Sequence, residues 1–349
     1  MEQDIIDFNK CPLSSRNGKY GGMAGSKEGI IYKDDFWIIK YPKNTKYMDV
    51  SDLSYTTSCL SEYLGSHIYQ ILGYDVHETL LGIRNHKIIV ACKDFCAEHV
   101  ELREIRTLKN IYNEELQNKL DTELDSTDSS HIVDLNELLI HLDYNPVLAS
   151  IPNLKERFWE CVVIDLFINN NDRNNGNWGL LFADNHYSIA PIFDNGAAFS
   201  NKLGEIRIKD ILSNPQKLQQ SSLNVATAFG IDGKRLTLQK MLNYDNEDLK
   251  NAIKKVVPII KNKMFEINKF IDDIPEKHNE VLICSQDRKN LYKKSMELRL
   301  EKGLEPALKR IIEAERPTSI KDRINNSKKK MNDINKEKNL NNKTKNIER

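Results

Sequence analysis

The chain has 349 residues, 40% of them apolar, and its 51 basic side chains balance 51 acidic ones to a formal net charge of zero. That length suits one large bilobal unit or two smaller domains with a real core, and the charge balance gives the chain as a whole no electrostatic case for nucleic acid or membrane. The acidic start Met1-Glu2-Gln3-Asp4 is followed by no long apolar run, which argues against a signal peptide or a membrane span. A cytoplasmic location is expected, with export by a route that reads no such signal still open.

Residues 1–17 carry little pattern, and residues 18–29 are rich in glycine. Two β-rich runs, 30–33 and 36–40, flank Asp34-Asp35 and read as a hairpin. A glycine loop just before a strand frees backbone amides to approach phosphates closely. It is no Walker loop, because no Gly-Lys-Ser/Thr follows at the required spacing, and alone it is equally a flexible surface loop. Lys40 ends the second strand and Tyr41-Pro42 stops it. A lysine there either snorkels to solvent or is reserved for an anion.

Residues 55–72 place Leu60, Leu64, Ile68, Ile71 and Leu72 at helical spacing, and Gly73 supplies the stop. Glu62 lies among them, either as an exposed helix charge or as a partner for Lys40. Residues 79–83 and 87–92 read as a second hairpin turning at 84–86. A small antiparallel sheet with one helix is therefore predicted for residues 18–92. Its last strand runs out through Cys92-Lys93-Asp94-Phe95, a polar exit that can offer main-chain groups to an adenine edge.

Helical spacing then predicts one helix over 101–124, a short one over 132–142 and a longer one over 154–168. Next comes Asn169-Asn170-Asn171-Asp172-Arg173-Asn174-Asn175-Gly176-Asn177, a polar loop. Two short strands at 178–182 and 187–190, turning at 183–186, lead to Ala190-Pro191-Ile192-Phe193-Asp194. Asn, Asp and Gly suit any turn, so Asp172-x4-Asn177 alone is weak. With Asp194 closing the hairpin, the set matches what phosphoryl transfer from a nucleotide needs: a carboxylate to take the hydroxyl proton, and an amide and second carboxylate to hold Mg²⁺. Beyond it, residues 214–226 read as loop, and 234–272 and 276–315 as helices.

The six cysteines are irregularly spaced without a CxxC pair and read as buried free thiols rather than a zinc site. Of the eight histidines none falls in a metal-like pair, and no internal repeat is seen. Residues 318–349 hold ten Lys/Arg against four Asp/Glu and no aromatic residue, the composition of a disordered basic tail. Such a tail can attract RNA, DNA or an acidic protein surface, though a solvated terminus is the blander account.

The order of these features (glycine loop, Lys40-Tyr41-Pro42, Ser61-Glu62-Tyr63, Asn171-Asp172-Arg173-x3-Asn177 and Ala190-Pro191-Ile192-Phe193-Asp194) resembles the HipA-like Ser/Thr kinases, particularly compact members of that family, over roughly residues 18–315. The resemblance implies an α+β, bilobal protein-kinase-like fold. Residues 1–93 would be a small antiparallel-sheet N-lobe with one helix, 94–316 a mainly helical C-lobe, and 317–349 the tail. It also implies ATP, Mg²⁺, a protein substrate and, by analogy with HipA, a HipB-like antitoxin partner, with no membrane association. Carried over residue by residue, Asp172 would be the catalytic base, Lys40 the phosphate lysine and Glu62 its partner. Asn177 and Asp194 would be the metal ligands. Gly21, Gly22, Met23, Ala24, Gly25 and Ser26 would cover the phosphates, and Cys92, Lys93 and Phe95 would lie at the adenine hinge. Some relatives autophosphorylate in the glycine loop, which makes Ser26 the candidate here.

Two departures stand out. Family members usually carry His where this chain has Asn174, and about 17 residues precede the glycine loop, too few for HipA's additional N-terminal subdomain. Docking of a HipB-like partner as in HipA is correspondingly less expected. Two other readings of the same residues stay open: a small-molecule or lipid kinase, and a pseudokinase acting as an interaction module.

Overall fold

Four two-residue turns govern the strand pairing. Lys33-Asp34, Asn85-His86, Asp184-Asn185 and Asp232-Gly233 all have positive φ, the mirror-image turn whose twist matches that of the strands it joins. In this computed structural model, residues 4–17, 27–46, 48, 52–96, 99–111, 113–120 and 132–316 are described. The expectations placed on Gly21 to Ser26 and on the tail at 317–349 lie outside them.

The first two turns build a five-stranded sheet from β1 (Ile6–Asp7), β2 (Lys27–Tyr32), β3 (Asp35–Lys40), β4 (Thr79–Arg84) and β5 (Lys87–Lys93), with helix α1 (Ser58–Ile71) between β3 and β4. The strand order is β1-β4-β5-β3-β2. β2, β3, β5 and β4 pair antiparallel as expected, but β1 adds a parallel edge. Two residues are too few for any periodicity, so this strand was invisible in sequence. It lies close against Gly82, where a Cβ would strike the Ile6 carbonyl and the Phe8 ring. Alternation sends Trp37, Ile39, Ile89 and Ala91 to one face, where they bury with Phe8 and Ile30. Lys40 and Cys92 consequently face the other way, towards α1. That helix ends as predicted, at a glycine with φ +88°.

The remainder is mainly helical. The helix expected over 101–124 is instead β6 (Glu101–Glu104), α2 (Ile105–Leu108) and α3 (Glu114–Lys119). β6 pairs with β8 (Gly179–Ala183), and Asn113 caps α3 by accepting from the Leu116 N–H at 2.8 Å. Strand pairing and a new cap override helical spacing there. After β7 (Val133–Asp134) and α4 (Leu135–Tyr144) comes α5 (Leu154–Ile168), buried almost throughout as a central helix must be. β8 and β9 (His186–Ile189) form the predicted hairpin.

Residues 214–226 are not loop. They form α6 (Glu205–Leu212)'s successor, α7 (Pro215–Leu223), whose Asn214 caps it and whose proline stands in the first turn. Asn-Pro is an N-terminus signal that the run of Gln and Ser obscured. The helix expected from 234 begins as β11 (Lys234–Thr237), which pairs with β10 (Ala226–Ile231) across Asp232-Gly233. α8 (Leu238–Leu242) and α9 (Glu247–Asp272) follow. Likewise 276–285 holds the short pair β12 (Lys277–His278) and β13 (Val281–Leu282) before α10 (Gln286–Arg299). α10 passes through a π turn, Leu300–Leu304, into α11 (Glu305–Glu315). The chain divides into residues 1–308 and 309–349, a boundary inside α11. α5 packs on α9, and α10 on α5, α6 and α7. No helix among the described residues is long and apolar enough to cross a membrane.

Candidate active site

Asn169, with φ +58°, ends α5 in the left-handed conformation and turns the chain into the polar loop. Asn170 ties that loop back to the helix: its N–H donates to the Asp165 carbonyl at 2.8 Å and its Nδ2 to Asp165 Oδ1 at 3.1 Å. Asp172 follows, exposed. Asn174 Nδ2 donates to Asp172 Oδ1 at 2.9 Å, while Asn174 Oδ1 accepts from the Gly176 N–H at 2.8 Å. This amide braces the loop at both ends. Asn177 Nδ2 donates to the Asp172 carbonyl at 2.5 Å. Its Oδ1 has no donor among the described residues. Asp172 and Asn177 are therefore brought together as expected.

From the opposite side, β3 presents Lys40 and α1 presents Glu62. Lys40 Nζ lies 3.1 Å from Glu62 Oε1 and 2.8 Å from Asp194 Oδ1. The Asp194 N–H donates to the same Glu62 oxygen at 3.1 Å. Three residues that are 154 positions apart at the extremes meet at one point. Burial works against charge on both partners, yet the two carboxylates outweigh it and hold the Lys40 pKa well above its ordinary value. For Glu62, burial would raise the pKa, but Lys40 and a hydrogen bond from His77 hold it well below the carboxylate range. Asp194 itself takes φ +61°, a strained conformation that turns its side chain back at Lys40.

Arg173 is the member that sequence reasoning passed over. It is 3% exposed and forks onto Asp165, Nε to Oδ2 at 2.9 Å and Nη2 to Oδ1 at 3.1 Å. It also donates to the carbonyls of Asn177, at 3.0 Å, and Phe193, at 2.5 Å, and to Asn195 Oδ1 at 2.6 Å. One guanidinium thus clamps the loop of Asp172 to the segment of Asp194. Its signal was an arginine beside the key aspartate and, eight residues earlier, Asp165 within the apolar last turns of α5.

At the exit from β5, Phe95 packs on Phe193 with ring centroids 5.9 Å apart. Lys93 points to the far face of the sheet, where its ammonium meets Asp35 Oδ2 at 2.7 Å and Glu78 Oε2 at 3.5 Å. Its main-chain N–H is also engaged, donating to the Glu78 carbonyl at 2.8 Å, so neither the side chain nor the N–H of Lys93 is open at the expected hinge. Cys92 is buried and uncharged, its pKa pushed far up by burial. Glu62, His77 and Cys92 have ligand atoms within 4.8 Å of one another, but the Lys40 ammonium already neutralises this carboxylate. All six cysteines are free, four of them buried and Cys11 and Cys96 half-buried.

The donor set fits a hard cation held against phosphates. Asp194 is partly open to solvent, with one oxygen on Lys40, and Asn177 keeps an amide oxygen without a donor. Lys40 supplies a charged ammonium beside Asp194.

No family model matches the chain. It is 33% identical over 296 residues to the serine/threonine-protein kinase CtkA of Helicobacter pylori, covering 81% of this chain and 85% of that protein. The crystal structure of the Helicobacter pylori proinflammatory kinase CtkA superposes with a TM-score of 0.76 at 31% identity, covering 90% of this chain and all of that one. HipA of Shewanella oneidensis, in a complex with HipB and operator DNA, shares the fold at a TM-score of 0.50 and 12% identity, over 88% of this chain and 75% of that one. With a kinase relative matched over most of both chains, and a fold that extends to HipA, this chain belongs to the HipA-like serine/threonine-protein kinases.

Proposed function

We propose that this kinase transfers the γ-phosphoryl group of Mg·ATP to a serine or threonine of a protein, with residues 1–93 and 94–316 as the two lobes around the nucleotide. The observation that carries this reading is Lys40 poised between Glu62 and Asp194, 3.1 and 2.8 Å away. Asp172 takes the proton of the acceptor hydroxyl as its oxygen bonds to the γ-phosphorus and the bond from that phosphorus to the ADP oxygen breaks. Lys40 neutralises the phosphates, and Glu62 keeps the ammonium in place. Asn177 and Asp194 hold the metal, whose charge offsets what the phosphates develop. Arg173 keeps the two loops in register. Main-chain groups of Cys92, Lys93 and Phe95 would meet the adenine, the Lys93 N–H excepted because it is bonded to Glu78, while the phosphate cover and the autophosphorylation site expected at Gly21 to Ser26 fall on residues outside those described. The likeness to HipA carries the fold alone, and a HipB-like partner is left out of this proposal.

The test is intact mass after incubation with Mg·ATP, followed by transfer to a protein mixture. Asp172→Asn should cut transfer by roughly 10²–10⁴-fold while retaining fold and nucleotide binding. Asp194→Asn should weaken Mg·ATP binding as well. Undiminished transfer in both variants would overturn the assignment.

The pH dependence of the ion pair has a defined sign. A carboxylate with a lowered folded pKa contributes stability above its unfolded value and loses it as pH falls through the folded one. A lysine with a raised pKa contributes below its unfolded value and loses it as pH rises. In urea melts the stability difference between wild type and Glu62→Gln should therefore shrink as pH falls below about 4.3 and as it rises above about 10.4, the ordinary values of the two partners.

A further inference from the structure

His77 stands where the sheet, α1 and the Asp194 segment meet. Val76 forms an isolated parallel bridge with Ile192, the His77 N–H donates to the Ile192 carbonyl at 3.0 Å, and the Ile192 N–H donates to the Asp75 carbonyl at 3.0 Å. The backbone of His77 is thereby attached to the strand that delivers Asp194 two residues later. Its imidazole is buried, and its Nε2 lies 3.0 Å from Glu62 Oε1 and 3.0 Å from Ser66 Oγ. An ionised carboxylate only accepts hydrogen bonds, so Nε2 must carry a proton and donate to Glu62.

Lys40, the Asp194 N–H and His77 thus converge on a single oxygen of Glu62, while the buried Oε2 has no hydrogen-bond partner among the described residues. Two of these three donors belong to residues that the reaction itself uses. The third, His77, is anchored independently. The same Nε2–H is shared with Ser66 Oγ, which also accepts from Asn195 Nδ2 at 3.1 Å, and Asn195 Oδ1 accepts from Arg173 at 2.6 Å. A continuous line of polar side chains runs from Lys40 through Glu62, His77, Ser66 and Asn195 to the arginine that clamps the Asp172 loop.

We propose that His77 is a positioning residue for phosphoryl transfer: its Nε2–H pins Glu62, so that Lys40 is set against Asp194 before nucleotide arrives. This rests on the roles given above to Lys40, Glu62 and Asp194. An ammonium that wanders costs most where charge develops, so the loss falls on kcat more than on the KM for ATP.

The experiment measures steady-state transfer from Mg·ATP to myelin basic protein, with thermal melts alongside, for wild type, His77→Ala, His77→Gln and Ser66→Ala. Losing a hydrogen bond to a charged group predicts that His77→Ala lowers kcat by about 10–100-fold, with a smaller rise in KM. His77→Gln, whose amide N–H reaches the same oxygen, should recover to within about threefold. Ser66→Ala should lose about two- to fivefold in kcat at unchanged KM, as expected for a weaker neutral link. Wild-type kcat in His77→Ala overturns the proposal, and so do equal losses in the Ala and Gln variants at unchanged melting temperature. Should His77→Ala fail to fold, Ser66→Ala decides: reduced kcat at unchanged KM supports the relay, and wild-type kcat overturns it. Lys40→Ala and Asp172→Asn measured beside them separate the two readings. If these retain transfer, the assignment of the site falls. If they are inactive while His77→Ala matches wild type, the role of His77 alone falls.

Discussion

Two arginines grip the end of α5, and they solve the same problem in opposite ways. Arg173 and Arg299 are each 3% exposed, and each reaches the last turns of that helix just before the Asp172 loop. Arg173 has a carboxylate. Burial would lower its pKa, but Asp165 and its hydrogen bonds hold it well above the ordinary value. Arg299 has no carboxylate partner among the described residues. It donates to the Phe167 carbonyl at 2.7 Å and to the Ser222 carbonyl at 3.4 Å, and burial alone pulls its pKa below the ordinary value. The carbonyls at the end of a helix carry partial negative charge, which suits a cation without neutralising it. Arg299 also borders a small cavity shared with Ser200, Ser221 and Ser295, whereas Arg173 is enclosed by the clamp it forms. The side joined to the Asp172 loop is locked by a fully paired charge with a two-pronged fork, and the Arg299 side is held by a carbonyl cap.

The contrast breaks most sharply at Asp165. Asp165→Ala strands a buried guanidinium and also removes the acceptor of Tyr69 Oη and Asn170 Nδ2, so denaturant melts should show a loss of about 3–5 kcal/mol. Replacing both partners, Asp165→Leu with Arg173→Met, should cost less than the sum of the single changes, because no unpaired charge remains. Transfer activity should nonetheless stay low in the double variant, since the carbonyls of Asn177 and Phe193 lose the donor that joins them. Arg299→Met sharpens the same comparison from the weaker side. Two hydrogen bonds to carbonyls are lost, but the cost of burying an unpaired charge goes with them, so a net destabilisation of only about 1–2 kcal/mol is expected. A loss as large as that of Asp165→Ala would show that Arg299 has a counter-charge after all.

Legibility in the sequence followed the range of the interactions. α5 matches its predicted bounds of 154–168, because its register rests on its own apolar residues. The β2–β3, β4–β5 and β8–β9 hairpins were readable because each turn is encoded within a few residues of its strands. The failures came where a distant partner decides. Residues 101–104 have helical spacing but pair with the distant β8, Glu101 with Phe182 and Glu104 with Gly179. Residues 234–237 look helical but complete a hairpin with β10. The Asn214-Pro215 cap was a local signal overlooked rather than one absent.

By itself, then, the sequence determined the residue types that phosphoryl transfer needs, their order along the chain, and the local elements that carry them: Lys40 at a strand end, Glu62 on a helix, Asp172 and Asn177 on one loop, Asp194 after a hairpin. Spacing along a chain reports which groups share an element. Which groups meet across elements was decided only in the tertiary structure, by burial. Once Glu62 is enclosed, its charge must be met by Lys40 and His77. Once Arg173 is enclosed, it must find Asp165 and the carbonyls of two separate loops. A desolvated charge cannot be left unpaired without a penalty of several kcal/mol, and that demand, not sequence proximity, brings the site together.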